Sequence, residues 1–111
     1  MSSIAVNFKR LMLGIDQDYT DVTSSRSIGV TYTNLQAKPM LVSIQGDAGT
    51  FNNAITLTID GIEGGRAKLG DYTSGSASTA TRATVYGIVK PNGTYSINLP
   101  VGVVDLWVET L

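Results

Sequence analysis

The sequence predicts an all-β fold, a small antiparallel β-sandwich of jelly-roll type with a short N-terminal helix or arm. Three observations lead there. Apolar and polar residues alternate with period two over most of the chain after Ser27, as in strands with one buried face. Turn residues separate about seven such stretches at intervals of roughly 8–12 residues. The charged fraction is only 15% against an apolar fraction of 42%, which leaves a surface of Ser, Thr, Asn and Gly. At 111 residues the chain fits one folded unit, divided here into an N-terminal helix or arm over residues 1–16 and a sandwich over residues 17–111.

Residues 4–15, IAVNFKRLMLGI, fit both periods. Ile4, Phe8, Leu11, Met12 and Ile15 share a helical face, and Ile4, Val6 and Phe8 share a strand face. The acidic DQDYTD of residues 16–21 reads as a loop. Over residues 27–34, Ile28, Val30 and Tyr32 alternate with Gly29, Thr31 and Thr33, predicting a half-buried strand. Asn34 is suited to start the following turn through its side-chain amide, and Pro39 suits the first position of the next strand, where Met40, Val42 and Ile44 face inward.

ITLTIDGI sends Ile55, Leu57 and Ile59 inward and ends on Asp60-Gly61, a turn or bulge signal. TRATVYGIVK, from Thr81 to Lys90, becomes apolar on both faces and predicts a strand buried on both sides. Pro91-Asn92-Gly93 is a tight-turn signal leading into TYSINL, with Tyr95, Ile97 and Leu99 inward. In the closing LWVETL, Leu106 and Trp107 must point to opposite faces.

Several function classes are weakened at once. With no histidine and no cysteine, the commonest general base and the thiol nucleophile are absent, and no enzyme activity or cofactor is expected. The eight Lys and Arg residues are scattered and the formal net charge is −1, unlike a nucleic-acid binder. No apolar run approaches the ~20 residues of a membrane-spanning helix. Asp16, Asp18 and Asp21 offer oxygen ligands for Ca²⁺, but without the glycine and closing glutamate of an EF-hand loop they read as a solvated acidic loop. No metal site is expected.

The low-complexity segment GDYTSGSASTAT, residues 70–81, reads as a surface loop and supplies the candidate ligand-binding residues Asp71, Tyr72, Thr73, Ser74 and Ser76. Tyr72 offers a ring for stacking on a sugar, and the hydroxyls offer hydrogen bonds. The loop at residues 46–53, GDAGTFNN, is the second choice. Trp107, Tyr32 and Tyr86 fall on expected strands and are assigned to the core or to a subunit interface. Arg26 precedes a strand, placed either to pair with a carboxylate of a neighbouring strand or subunit or to stand solvated at the surface.

In order, the segments QDYTDVTSSRSIGVTYTNLQAKPMLVSI, ITLTIDGI, NGTYSINL and LWVETL resemble the C-terminal tip domains of tailed-bacteriophage tail fibres and receptor-binding proteins. The shared pattern runs from aromatic-x-(Asp/Asn)-Val-Thr-x-x-Arg, here Tyr19 to Arg26, through Thr31-Tyr32-Thr33-Asn34 and Lys38-Pro39-Met40. It continues with Ile59-x-Gly61, Gly93-x-Tyr95-x-Ile97 and Leu106-Trp107-x-Glu109. The resemblance spans about residues 17–111 and implies a small sandwich that forms a homotrimer at the end of a fibre. The implied location is the virion tail fibre, assembled in the host cytoplasm. The implied partners are a longer fibre chain and a bacterial surface polysaccharide or outer-membrane protein. A virion accessory protein that caps, trimerises or decorates a fibre or capsid is the alternative.

Overall fold

The structure is a computed structural model in which residues 12–47, 53–69, 82–100 and 102–111 are described. These residues form eight strands and one turn of 3₁₀ helix, against about seven strands expected. The strands are β1 (Tyr19–Asp21), β2 (Tyr32–Thr33), β3 (Met40–Asp47), β4 (Asn53–Ile59), β5 (Ile62–Leu69), β6 (Arg82–Val89), β7 (Thr94–Asn98) and β8 (Val103–Thr110). They build two four-stranded antiparallel sheets in the orders β1-β8-β3-β6 and β2-β7-β4-β5. Every connection except β4 to β5 passes from one sheet to the other, which is the winding of a jelly roll.

The alternation seen in the sequence does the work of placing the core. Met40, Val42 and Ile44 of β3, Ile55 and Leu57 of β4, Val85 and Val89 of β6, and Tyr95 and Ile97 of β7 are buried between the sheets. Leu99 and Trp107 complete this layer. In β8 the register slips between Gln45 and Gly46 of its partner strand, leaving Asp105 as an extra residue. That bulge lets Asp105 and Leu106 both stand outside while Trp107 points inward.

The turns follow their local chemistry. Asp60 and Gly61 have φ of 52° and 81°, the two positive values of a type I′ hairpin, and they close Ile59 onto Ile62. Gly93 N–H donates to Lys90 O at 2.8 Å, with Pro91 at the second position and Asn92 at φ 64° at the third, a type II turn. This turn carries the chain from one sheet to the other.

Two strand expectations are corrected. The strand expected over residues 27–34 is reduced to Tyr32–Thr33. Gly29 sits at φ 83° and breaks the extended run, so Ile28 and Val30 are exposed rather than inward. The strand expected to be buried on both sides, β6, lies at a sheet edge with Tyr86 and Ile88 exposed on its outer face. For the N-terminal helix or arm expected over residues 1–16, residues 1–11 lie outside the described residues, and Met12–Asp16 form a turn rather than a helix.

Asn34, fully buried, ties one end of the sandwich together. Its Nδ2 donates to Lys38 O (2.9 Å) and Val89 O (3.0 Å), and its Oδ1 accepts from Gln36 N–H at 3.0 Å. Its backbone bonds Gly93 and Asn92, so the 34–39 loop, the end of β6 and the type II turn all depend on it. Residues 12–18 reach the same end: Lys38 Nζ donates to Ile15 O, and Gln17 Nε2 donates to Pro39 O at 2.9 Å. Asn34→Asp keeps the size but replaces two donors with an acceptor facing two carbonyls. With two buried acceptors unpaired at about 1–3 kcal/mol each, urea denaturation should show a loss of roughly 2–6 kcal/mol, and an unchanged midpoint would show that this end is not held by the amide.

Candidate functional site

Antiparallel winding sorts the loops by end. Asp47 of β3 lies opposite Arg82 of β6 and Val103 of β8, and Asn53 of β4 lies opposite Leu69 of β5. The strand ends that flank residues 48–52 and 70–81 therefore converge on the end that also carries the 22–31 and 99–102 connections. Residues 12–18 and the C-terminal Leu111 are at the opposite end, where Asp18 and Leu111 exchange backbone hydrogen bonds of 3.2 and 3.1 Å. The candidate ligand-binding residues Asp71, Tyr72, Thr73, Ser74 and Ser76 lie outside the described residues, as do residues 48–52 of the second-choice loop.

Within the described part of this end, a groove of about 330 Å³ opens between two walls. Thr23, Arg26 and Ser27 form one wall and Gly102, Val103 and Val104 the other, with Ile28 and Trp107 bordering it. The first wall is shaped locally. Asp21 accepts from the hydroxyl and the amide of Thr23 at 2.6 and 3.0 Å, and these bonds hold its carboxyl below the usual carboxylate range. Thr23 Oγ1 in turn accepts Trp107 N–H at 2.9 Å, fastening the 3₁₀ turn (Thr23–Ser25) to β8.

Arg26 turns inward behind this wall. Its Nε and Nη2 meet Glu109 Oε2 and Oε1 at 3.0 and 2.7 Å, a bidentate pair. Glu109 is only 1% exposed. Tyr95 O–H donates to the same carboxylate, and Trp107 Nε1 donates to Tyr95 Oη at 3.0 Å. Tyr32 packs beneath the guanidinium, 4.8 Å from its ring centroid. The Tyr32 ring meets Trp107 edge-on at 6.0 Å, and its hydroxyl accepts Ser27 N–H at 2.7 Å. The carboxylate pushes the guanidinium pKa further up. Burial first, and then the bond to Glu109, push the Tyr95 phenol above its usual 10.0.

Of the three residues assigned to the core or a subunit interface, Trp107 is buried in the core and Tyr32 is half-buried against it. Tyr86 is 70% exposed on β6. Arg26 takes the paired alternative, and the carboxylate belongs to β8 of the same chain. Sequence reading did not single out Glu109 or Tyr95 for this role, although both stand in the quoted motifs. The available signal was a glutamate two residues after the only tryptophan, on the inward side of a strand. Asp16, Asp18 and Asp21 do not come together as a cluster, and among the described residues no group of three or more His, Cys, Asp or Glu could hold a metal ion.

Removing Arg26 leaves a buried carboxylate without its cation, so Arg26→Ala should cost about 3–5 kcal/mol in denaturant unfolding, as broken buried pairs do. Arg26→Met with Glu109→Leu removes both charges and should recover much of that loss. A double variant no better than the single one would contradict the account. The Tyr95 phenol gives a pH signature. Its folded value is raised, so its contribution is complete below pH 10.0 and is lost as pH rises through the folded value. The melting temperature should fall more steeply above pH 10 in the parent than in Tyr95→Phe, and equal slopes would rule the phenol out as the cause.

The chain matches no protein-family model, no curated protein and no solved structure.

Proposed function

We propose that this chain is a tip or receptor-binding subunit of a tailed-bacteriophage tail fibre, attaching the virion to a bacterial surface glycan or outer-membrane protein. The observation that carries this reading is the polarity of the sandwich. Residues 12–18 and the C-terminus share one end, while the strand ends flanking the Ser/Thr/Gly-rich segment 70–81 converge on the other. A chain tethered through its N-terminal side to a fibre would present that loop end outward. The groove between the 22–31 and 99–102 connections lies on the same end.

In this reading the sandwich is rigid support, and recognition belongs to the loops rather than to the motif residues around Glu109. Binding needs no catalytic group or cofactor. The assembly is a homotrimer, joined to a longer fibre chain. A second reading, a virion accessory protein that caps or decorates a fibre or capsid, is favoured by one observation: Tyr86 and Ile88 present an apolar outer face on β6.

The two readings separate on whole cells. Asp71→Ala with Tyr72→Ala should leave folding intact and reduce adsorption of the labelled protein to host bacteria. Unchanged adsorption would move recognition away from residues 70–81. A parent protein that adsorbs to no host cell would favour the accessory reading.

A further inference from the structure

The two outer faces of the sandwich differ in chemistry. On the β2-β7-β4-β5 sheet, Thr56 lies opposite Asn98 and Thr58 opposite Ser96, so the outward rows are hydroxyls and amides. On the β1-β8-β3-β6 sheet the corresponding rows are richer in large apolar side chains. Ile88 lies opposite Leu41, Ser43 sits between Tyr86 and Val108, and Leu106 lies opposite Gln45. Tyr19 extends this face on β1, 74% exposed. Thr110, Ser43, Gln45 and Thr84 stand among these apolar side chains and Asp21 ends the Tyr86–Ser43–Val108 row on β1, while Tyr86 (70%) and Ile88 (56%) are among the most exposed apolar members.

The free edges differ in the same sense. Edge strands β1 and β2 have only three and two residues, which limits pairing with another chain. Edge strand β5 carries the exposed pair Glu63 and Arg66 and bulges at the Leu57/Thr58 register shift, the usual protections of an exposed edge. Edge strand β6 has eight residues, pairs β3 without a shift and has no charge after Arg82. Arg82 itself is bonded to Asp47 and Asp105 at 3.5 and 3.1 Å.

We propose that the outer face of the β1-β8-β3-β6 sheet, centred on Ser43 and bounded by β6, is the surface through which a second copy of this chain packs. This rests on the assembly part of the proposed function and not on host binding. The face suits a copy of itself because its centre is apolar, and its charges stand at the margins, Arg82 with Asp47 and Asp105 at the loop end and Asp21 on β1. Three eight-residue strands and β1 cover roughly 400 Å² of flat sheet by strand spacing and rise. With side chains standing off it, two such faces bury on the order of 1,000 Å², the lower bound for a specific interface. A face turned toward a symmetry axis meets its copies whether the ring holds two chains or three.

Light scattering at micromolar concentration tests this on the full chain. The parent should be oligomeric. Tyr86→Glu with Ile88→Lys should give one chain per particle with unchanged circular dichroism and Trp107 emission, and Ser96→Glu on the opposite face should assemble like the parent. A monomeric parent, or a double variant that still assembles, overturns the proposal. A second measurement covers a double variant that fails to fold. The chain has no cysteine, so Ser43→Cys and Ser96→Cys each carry a single thiol. In the assembled protein the thiol at position 43 should alkylate about tenfold more slowly, since the core of an interface excludes water, and equal rates overturn the proposal. A parent that assembles without adsorbing to host cells would sink host binding alone, and a monomeric parent that adsorbs would sink this interface alone.

Discussion

A carboxylate with 1% of its surface exposed has to be neutralised, and the arrangement of one end of this sandwich follows from how Glu109 meets that requirement. Its partner, Arg26, comes from the connection between β1 and β2, so the 22–31 segment must pass close against the C-terminal half of β8. Tyr95, on the facing sheet, donates to the same carboxylate, and Trp107 donates to Tyr95. One charge thus links β8, β7 and the loop that forms a wall of the groove. Among the described residues no buried side-chain nitrogen or oxygen lacks a partner, so the polar cluster is complete, the condition under which such networks specify a unique packing.

The same end is also held by a neutral counterpart. Asn34 uses both amide hydrogens and its carbonyl on backbone groups of two other segments and its own loop. From these polar ties toward the loop end, the space between the sheets is filled by an apolar layer contributed by both. Both ties act toward the end that carries the C-terminus, whereas the strand ends flanking residues 48–52 and 70–81 lie at the other. Loops as a class tolerate sequence change better than a core does, which is what the proposed recognition role would need.

The residues of the motifs on which the proposed fibre-tip reading began have a physical meaning in this light. Arg26, Tyr32, Asn34, Tyr95, Trp107 and Glu109 are the members of the two polar ties or pack directly on them. They encode how the sandwich is built. A partner would be chosen by residues outside that pattern, on the loops and on the outer sheet faces, which is why recognition and assembly are assigned to different parts of the molecule.

Local chemistry alone determined a good part of this fold. Period-two alternation in β3, β4 and β7 and the turn residues Asp60-Gly61 and Pro91-Asn92 act over a few residues, and the structure follows them. Leu106 and Trp107 also point to opposite faces as the alternation requires. Tertiary structure decided what local chemistry leaves open. Arg26 and Glu109 are 83 residues apart, and no local pattern says which carboxylate a lone arginine will meet. β6 reads as buried on both sides because its residues are apolar, but burial depends on sheet position, and jelly-roll winding puts it at an edge. The run from Ile28 to Tyr32 alternates like a strand, yet Gly29 bonds Ile97 through its N–H from a left-handed conformation, a contact that only the folded neighbour supplies. The convergence of the 22–31 and 99–102 connections into a groove is likewise a property of winding, because it joins segments that are distant along the chain.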